Sequence, residues 1–414
     1  MKNKLIYILC LLMLVYSVIP RGYAAEEDTS EYENEGQYVF SHQIMETMAG
    51  ADSFVDKIAT VQDFDVPCKA AFLIEEQSGQ VLYQKLPDEQ LPMASITKVM
   101  TMLLVMEALQ AGKITLGDTV PVSAHAYSMG GSQIWLEPGE IFTVDEMLKA
   151  VAVSSANDAA VALAEFIGGS EESFCAMMNA RARELGMTNT NFVNACGLDA
   201  ENHYSTARDI SIMAQRLMEY PQIFNYTTIW TDYLRSGQTQ LVNTNKLLRS
   251  YNGITGLKTG TTSRAGVCIC ATAKRNDMSL IAVVLGADSS QERFSAAKKL
   301  LDFGFANFET KPFPPSSLPS HIPVRLGVEK QVPVLCDIPQ KLLFVKGATS
   351  TLTCKIDMPS ALDSPVFKGM KAGVLTLYSG DGKIGEYDII AGQDVAKLDF
   401  VTSLSILTKN IAAM

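Results

Sequence analysis

Three short stretches carry side chains whose types and spacing could do chemistry. In "PMASITKVMT" (92–101), Ser95 precedes Lys98 by three residues at the head of a long apolar run. On a helix that spacing puts hydroxyl and amine on one face, a turn apart. Two readings suit the pair: an ordinary Ser N-cap followed by a lysine, or a nucleophile beside its base. A serine hydroxyl needs such a base. A lysine at a buried helix start is partly desolvated, which lowers its pKa toward a range where it can take a proton. Ser155-Ala156-Asn157 sets a hydroxyl and an amide two residues apart in an interhelical loop; taken alone it reads equally as a cap. Lys258-Thr259-Gly260, followed by Thr261, lies in a strand-like run. There Lys258 and Gly260 share one face and Thr259 takes the other. A strand glycine marks the close approach of a backbone or a ligand, although an edge strand or turn would also account for it.

The surrounding pattern supplies elements to position them. Residues 70–85 read as a β-hairpin about Ser78-Gly79, and residues 253–287 as an antiparallel meander of three strands. From Ile96 to Ala111 apolar residues fill nearly the whole helical wheel, which predicts a buried helix ended by Gly112. Thr143 and Glu146 form a capping-box pattern for a helix to about Val153, and a second apolar helix ends at Gly168. Helices are also predicted over 205–219 and 291–308. Seven of the sixteen prolines fall between Lys311 and Gln340, marking a linker and edge-strand region. Short Val/Leu/Ile/Thr runs over 322–394 then predict a small all-β domain.

The ends of the chain read differently. Lys2 and Lys4, the apolar run Leu5 to Ile19, and the small residues Gly22 and Ala24 predict a signal peptide, 1–24, cut near Ala24. Residues 25–66 form an acidic lead-in; its first part, 25–36, carries six acids and is expected to be disordered. Residues 395–414 carry an amphipathic stripe at Leu398, Val401, Leu404, Leu407 and Ile411. It is too short to span a bilayer and suits either lying on a membrane or docking on its own domain.

Loss of Lys2, Lys4 and Arg21 with the leader takes the formal charge from −11 to −14. So acidic a chain, without a basic patch, argues against nucleic-acid binding. The four histidines show no metal-ligand spacing, and no metal or other cofactor is expected. Seven cysteines remain after the leader, mostly expected as free buried thiols, with Cys336–Cys354 as a candidate bridge. Cys268 and Cys270 are expected to point to one face of a strand.

Taken together, Ser-x-x-Lys, Ser-x-Asn and Lys-Thr-Gly, at spacings of 60 and 103 residues, resemble the signature of penicillin-recognising serine enzymes. From about Ala70 to Phe308 the chain resembles the D-alanyl-D-alanine carboxypeptidases, the low-molecular-mass penicillin-binding proteins. The resemblance extends to "GGSQIWLEPGE", "ELGMTNTNFVNACGLDAENHYSTARDI", "NGITGLKTGTTSRAGVC" and "KKLLDFGF". It implies an α+β fold: an antiparallel sheet flanked by helices with a helical subdomain as the catalytic domain (67–310), then a β-rich C-terminal domain (311–394) and a membrane foot (395–414).

The resemblance also implies roles. Ser95 would attack the penultimate D-alanine carbonyl of a peptidoglycan stem peptide ending in D-Ala-D-Ala, with Lys98 as general base. The oxyanion would lie between the N–H groups of Ser95 and Thr261. Ser155 would pass a proton to the leaving D-alanine and Asn157 would hold the substrate amide. Lys258 would supply positive potential that helps keep Lys98 neutral; Thr259 and Arg293 would anchor the terminal carboxylate, although Arg293 also suits a solvated helix position. β-Lactams would acylate Ser95, and the enzyme would work outside the cytoplasm, at the outer face of the cytoplasmic membrane. Ala156 and Thr261 depart from many relatives and bear on specificity. A class A β-lactamase would instead need Ser-Asp-Asn and a water-activating Glu, where this chain offers Ala156 and Glu184. An idle wall-binding protein on the same fold is the alternative from another class.

Overall fold

The computed structural model describes residues 65–314, 318–339, 341–347, 351–380 and 382–412. The expected signal peptide and nearly all of the acidic lead-in lie outside them. The first sheet has five strands: β1 (Ala70–Glu75), β2 (Val81–Lys85), β3 (Ile254–Thr262), β4 (Gly266–Arg275) and β5 (Met278–Ala287). Their order is β2-β1-β5-β4-β3, antiparallel throughout. The N-terminal hairpin thus joins the edge of the later meander, with Ala70 opposite Leu285.

The period of two sorts the strand residues between two cores. Phe72, Ile74, Cys268, Cys270, Ile281 and Val283 face a helical subdomain. Leu73, Ile269, Ala271, Leu280 and Val284 pack on the other side, with Ala297, Leu300 and Leu301. Cys268 and Cys270 share a face as the spacing predicts. The helical elements are α1 (Lys98–Gln110), α2 (Val144–Val153), α3 (Asn157–Gly168), α4 (Glu171–Glu184) and α5 (Ala207–Met218); α6 (Ser290–Asn307) contributes Ala297, Leu300 and Leu301. α1 is buried on every side from Lys98 to Met106, because apolar side chains surround its axis. The capping box at α2 is formed, with Thr143 Oγ1 accepting from the Glu146 N–H and Glu146 Oε2 from the Thr143 N–H.

The C-terminal region is β-rich, so the whole is α+β. β6 (Phe308–Pro312) pairs with β9 (Lys341–Val345). A six-stranded sheet contains β7 (His321–Arg325), β8 (Gln331–Cys336), β10 (Leu352–Asp357), β11 (Leu362–Asp363), β12 (Lys371–Ser379) and β13 (Gly382–Ala391). Val395 is buried there and bridges Val366, and Lys397 bridges Gly327. The last helix, α7 (Phe400–Ala412), therefore starts later than Val395, where the tail segment read from the sequence begins. Phe400, Val401, Leu404 and Ile411 are exposed on it. No helix among the described residues is long and apolar enough to cross a membrane. All seven described cysteines are free, so the Cys336–Cys354 bridge is not formed; these two and Cys68 are half-buried rather than buried.

Candidate active site

Ser95 is not the N-cap of a helix. It lies in a 3-10 turn, Ala94–Thr97, that precedes α1, and no side chain caps either element. Ala94 has φ +51°, a conformation costing roughly 1–2 kcal/mol for a residue with a Cβ. Neighbouring groups hold the turn there. Val193 N–H donates to His203 Nδ1 at 3.0 Å, which leaves the ring proton on Nε2. That nitrogen lies 2.7 Å from Thr97 Oγ1, and the Thr97 hydroxyl donates to Ala94 O at 2.9 Å. Burial drives the His203 pKa down to about 4, so the ring stays neutral in this chain of bonds.

Two glycines press on the same turn. A Cβ on Gly260 would lie 2.9 Å from Ala94 Cβ and from Ser95 N. A Cβ on Gly197, whose φ is +87°, would lie 2.0 Å from Ala94 O. The close approach expected of the Lys258-Thr259-Gly260 glycine is therefore an approach to Ser95 itself.

Lys98 is fully buried. Its Nζ donates to Ser95 Oγ at 3.0 Å, to Asn157 Oδ1 at 2.6 Å and to the Cys196 carbonyl at 2.6 Å. Burial outweighs these contacts and lowers its pKa to about 8. Asn157 opens α3; its Nδ2 donates to Gly130 O at 2.6 Å and its N–H to Ser132 O at 2.7 Å. The amide expected to hold substrate thus also positions the amine, with one Nδ2 hydrogen left over. Ser155, two residues earlier, is buried at φ +62°.

Lys258 is buried too, and its Nζ donates to Thr259 O at 3.1 Å. Its pKa falls well below the usual lysine value, through burial first and then the Lys98 and Arg293 charges. The sequence reading has Lys258 depressing Lys98. In the free protein the influence runs the other way: after burial, the Lys98 charge helps depress Lys258. Thr259 Oγ1 donates to Thr244 Oγ1 at 2.6 Å.

Arg293 is buried, which removes the solvated-helix reading. Its guanidinium donates to Gly260 O (3.2 Å), Thr261 Oγ1 (3.3 Å), Cys268 O (3.3 Å) and Ser290 Oγ (3.1 Å). Thr261 is exposed, and its hydroxyl donates to Gly260 O at 2.8 Å. Glu184, by contrast, pairs with Arg181 at 2.8 Å on an exposed part of α4.

Several participants escape the motif reading: His203, Thr244, and the loop Asn194–Gly197, in which Asn194 Oδ1 takes the N–H groups of Cys196 and Gly197 at 3.2 and 2.6 Å. The stretch "NACGLD" is the only sequence signal for that loop. The arrangement as a whole has a hydroxyl beside a depressed amine, a strand pressed to the hydroxyl's backbone, and three basic side chains with no carboxylate among the described residues hydrogen-bonded to any of them. That suits acyl transfer from a substrate carrying an anionic group.

The chain is similar to known proteins over most of its length. Residues 57–289 match the profile described as "D-alanyl-D-alanine carboxypeptidase", and residues 308–397 the "Penicillin-binding protein 5, C-terminal domain". The D-alanyl-D-alanine carboxypeptidase DacF of Bacillus subtilis is 45% identical over 341 residues, 81% of this chain and 88% of that protein. DacC of Escherichia coli is 34% identical over 351 residues, 82% of this chain and 87% of its own. Penicillin-binding protein 5 of Haemophilus influenzae superposes with a TM-score of 0.73 at 30% identity, covering 81% of this chain and all of that one. Penicillin-binding protein D2 of Listeria monocytogenes, solved in a cefotaxime-bound form, gives 0.55 at 31% identity over 59% of this chain and 99% of that one.

Proposed function

Because the chain belongs to the D-alanyl-D-alanine carboxypeptidase family, we propose that Ser95 is its nucleophile and Lys98 its general base. The enzyme removes the terminal D-alanine of peptidoglycan stem peptides through an acyl-enzyme, and β-lactams acylate it. The observation that carries the assignment is the 3.0 Å contact between Lys98 Nζ and Ser95 Oγ, with the amine depressed to about 8.

In the reaction, neutral Lys98 takes the Ser95 proton as Oγ bonds to the penultimate D-alanine carbonyl carbon. The negative charge on the carbonyl oxygen is met by the N–H groups of Ser95 and Thr261. Collapse breaks the peptide bond, and Ser155 relays a proton to the departing D-alanine amine. Water then enters by the reverse sequence and frees Ser95. The substrate's terminal carboxylate binds near Lys258, Thr259 and Arg293. A carboxylate there raises the Lys258 pKa and favours its charged form. Thr259 donates to it once the Thr259–Thr244 hydroxyl pair reverses, which needs only a rotation of two O–H bonds. The free Nδ2 hydrogen of Asn157 meets the substrate amide. In this reading Arg293 acts partly by fixing the Gly260 carbonyl and so the strand edge behind Thr261.

The test is release of D-alanine from diacetyl-Lys-D-Ala-D-Ala, with covalent labelling by penicillin in parallel. Release and slow-turnover labelling are expected. Labelling without release defeats the carboxypeptidase assignment, and rapid penicillin turnover favours a lactamase.

We place the mature enzyme outside the cytoplasm at a membrane surface, held by α7. Its exposed Phe400, Val401, Leu404 and Ile411 support that reading. Truncation after Leu398 spares the bridges of Val395 and Lys397 to the β domain. The truncated enzyme is expected to keep its activity and leave the membrane fraction; unchanged partitioning would remove the membrane role.

A further inference from the structure

One of the acceptors on Lys98 is aimed by a residue outside the three motifs. Glu171 opens α4. Its Oε1 accepts the Ala195 N–H at 2.9 Å, and its Oε2 lies 2.6 Å from His125 Nε2. The next residue, Cys196, presents its carbonyl to Lys98 Nζ at 2.6 Å. His125 sits in the helical turn Ala124–Tyr127, shortly before Gly130, whose carbonyl takes Asn157 Nδ2. One carboxylate therefore ties together both segments that hold the amine, the first directly and the second through Asn157.

We infer that Glu171 is a positioning residue for the general base: by clamping the Ala195 N–H against His125 it fixes the direction in which the Cys196 carbonyl meets Lys98. The inference rests on the reading of Lys98 as base. A role in favouring the helix start would not need this geometry, since any acid in the first turn of α4 interacts with the helix dipole and Glu172 is also there. Glu171 alone reaches the loop, and its side chain is only 15% exposed.

Its surroundings make the test workable. Glu171 borders an open cavity of about 630 Å³ lined also by His125, Glu165, Glu172 and Cys175. Truncation therefore opens onto solvent instead of leaving a void in an apolar core. The loop keeps its other ties, Thr101 Oγ1 to Ala195 O at 2.6 Å and Asn194 Oδ1 to Cys196 and Gly197. It stays in place while the carbonyl loses its aim.

In Glu171→Ala, kcat and the penicillin acylation rate are expected to fall about tenfold, with KM within about twofold, as a base misplaced by a fraction of an ångström requires. The acid limb of kcat/KM should move to lower pH by about half a unit, because the Lys98 ammonium loses part of an acceptor. Glu171→Gln keeps an oxygen for the Ala195 N–H and should restore the rate to within about threefold, with the limb unmoved. Should the Ala variant fail to fold, Glu171→Asp serves. Its carboxylate is drawn back by one methylene, cannot span both partners, and should shift rate and limb in the same direction. A folded Ala or Asp variant with wild-type rate and limb overturns the inference. So does a Gln variant as slow as Ala, which would put charge in control instead of the N–H clamp. Wild type that neither releases D-alanine nor labels with penicillin overturns the base assignment, and the positioning role falls with it.

Discussion

Ser95→Ala is expected to reduce D-alanine release by about 10⁴-fold or more and to abolish covalent labelling by penicillin. The size follows from removing the only group that forms the acyl bond; what remains is the oxyanion site and substrate binding. The fold should survive, since Ser95 caps no helix and is half-buried. Its hydroxyl accepts one bond from Lys98, and Lys98 keeps Asn157 Oδ1 and Cys196 O without it. Thermal unfolding should therefore match wild type, and reversible penicillin binding should persist while the mass of the protein stays unchanged on incubation with the drug. A Ser95→Ala protein that still gains the mass of penicillin would place the nucleophile elsewhere.

How much of this was legible in the sequence depends on the range of each interaction. The capping box at Thr143 and Glu146 and the buried helix α1 follow from local patterns of a few residues, and both are present. The three motifs stood out only as an ordered set, since each alone reads equally as a cap, a turn or an edge strand. The partners that tune them are far away in the chain: Cys196 lies 98 residues from Lys98, and His203 lies 106 from Thr97. Cys196 also acts through its backbone carbonyl, which no side-chain pattern encodes. The cap reading of Ser95 fails for a related reason. The turn is held from outside, by His203 through Thr97, so it needs no cap of its own. Arg293 shows the same limit from the other side. Helical periodicity offers it to solvent or core alike, and the carbonyls of Gly260 and Cys268 decide the matter. The hairpin and the meander were each legible, but their joining through β1 and β5 depends on pairing across more than two hundred residues.

Lys98→Met should lower the acylation rate by about 10²–10⁴-fold, the usual contribution of a general base, and should erase the pH dependence that the base confers. In wild type only the neutral amine can take the Ser95 proton. With the amine depressed to about 8, kcat/KM is expected to rise about tenfold per pH unit below that value and level off above it. The sign is set by burial, which disfavours the ammonium; a solvent-exposed lysine would place the limb near 10.5. Met fills similar volume without a proton to exchange, so the residual rate should be flat across the same range. Stability provides the control. The substitution strips donors from Asn157 Oδ1 and Cys196 O, at roughly 1–3 kcal/mol for each acceptor left unpaired. It also removes a buried amine whose desolvation opposed folding. These effects have opposite signs, so the unfolding temperature should move by only a few degrees while the rate collapses. A Met variant that keeps a limb near pH 8 would assign the titration to another group, and one that keeps the rate would remove Lys98 from the proton transfer.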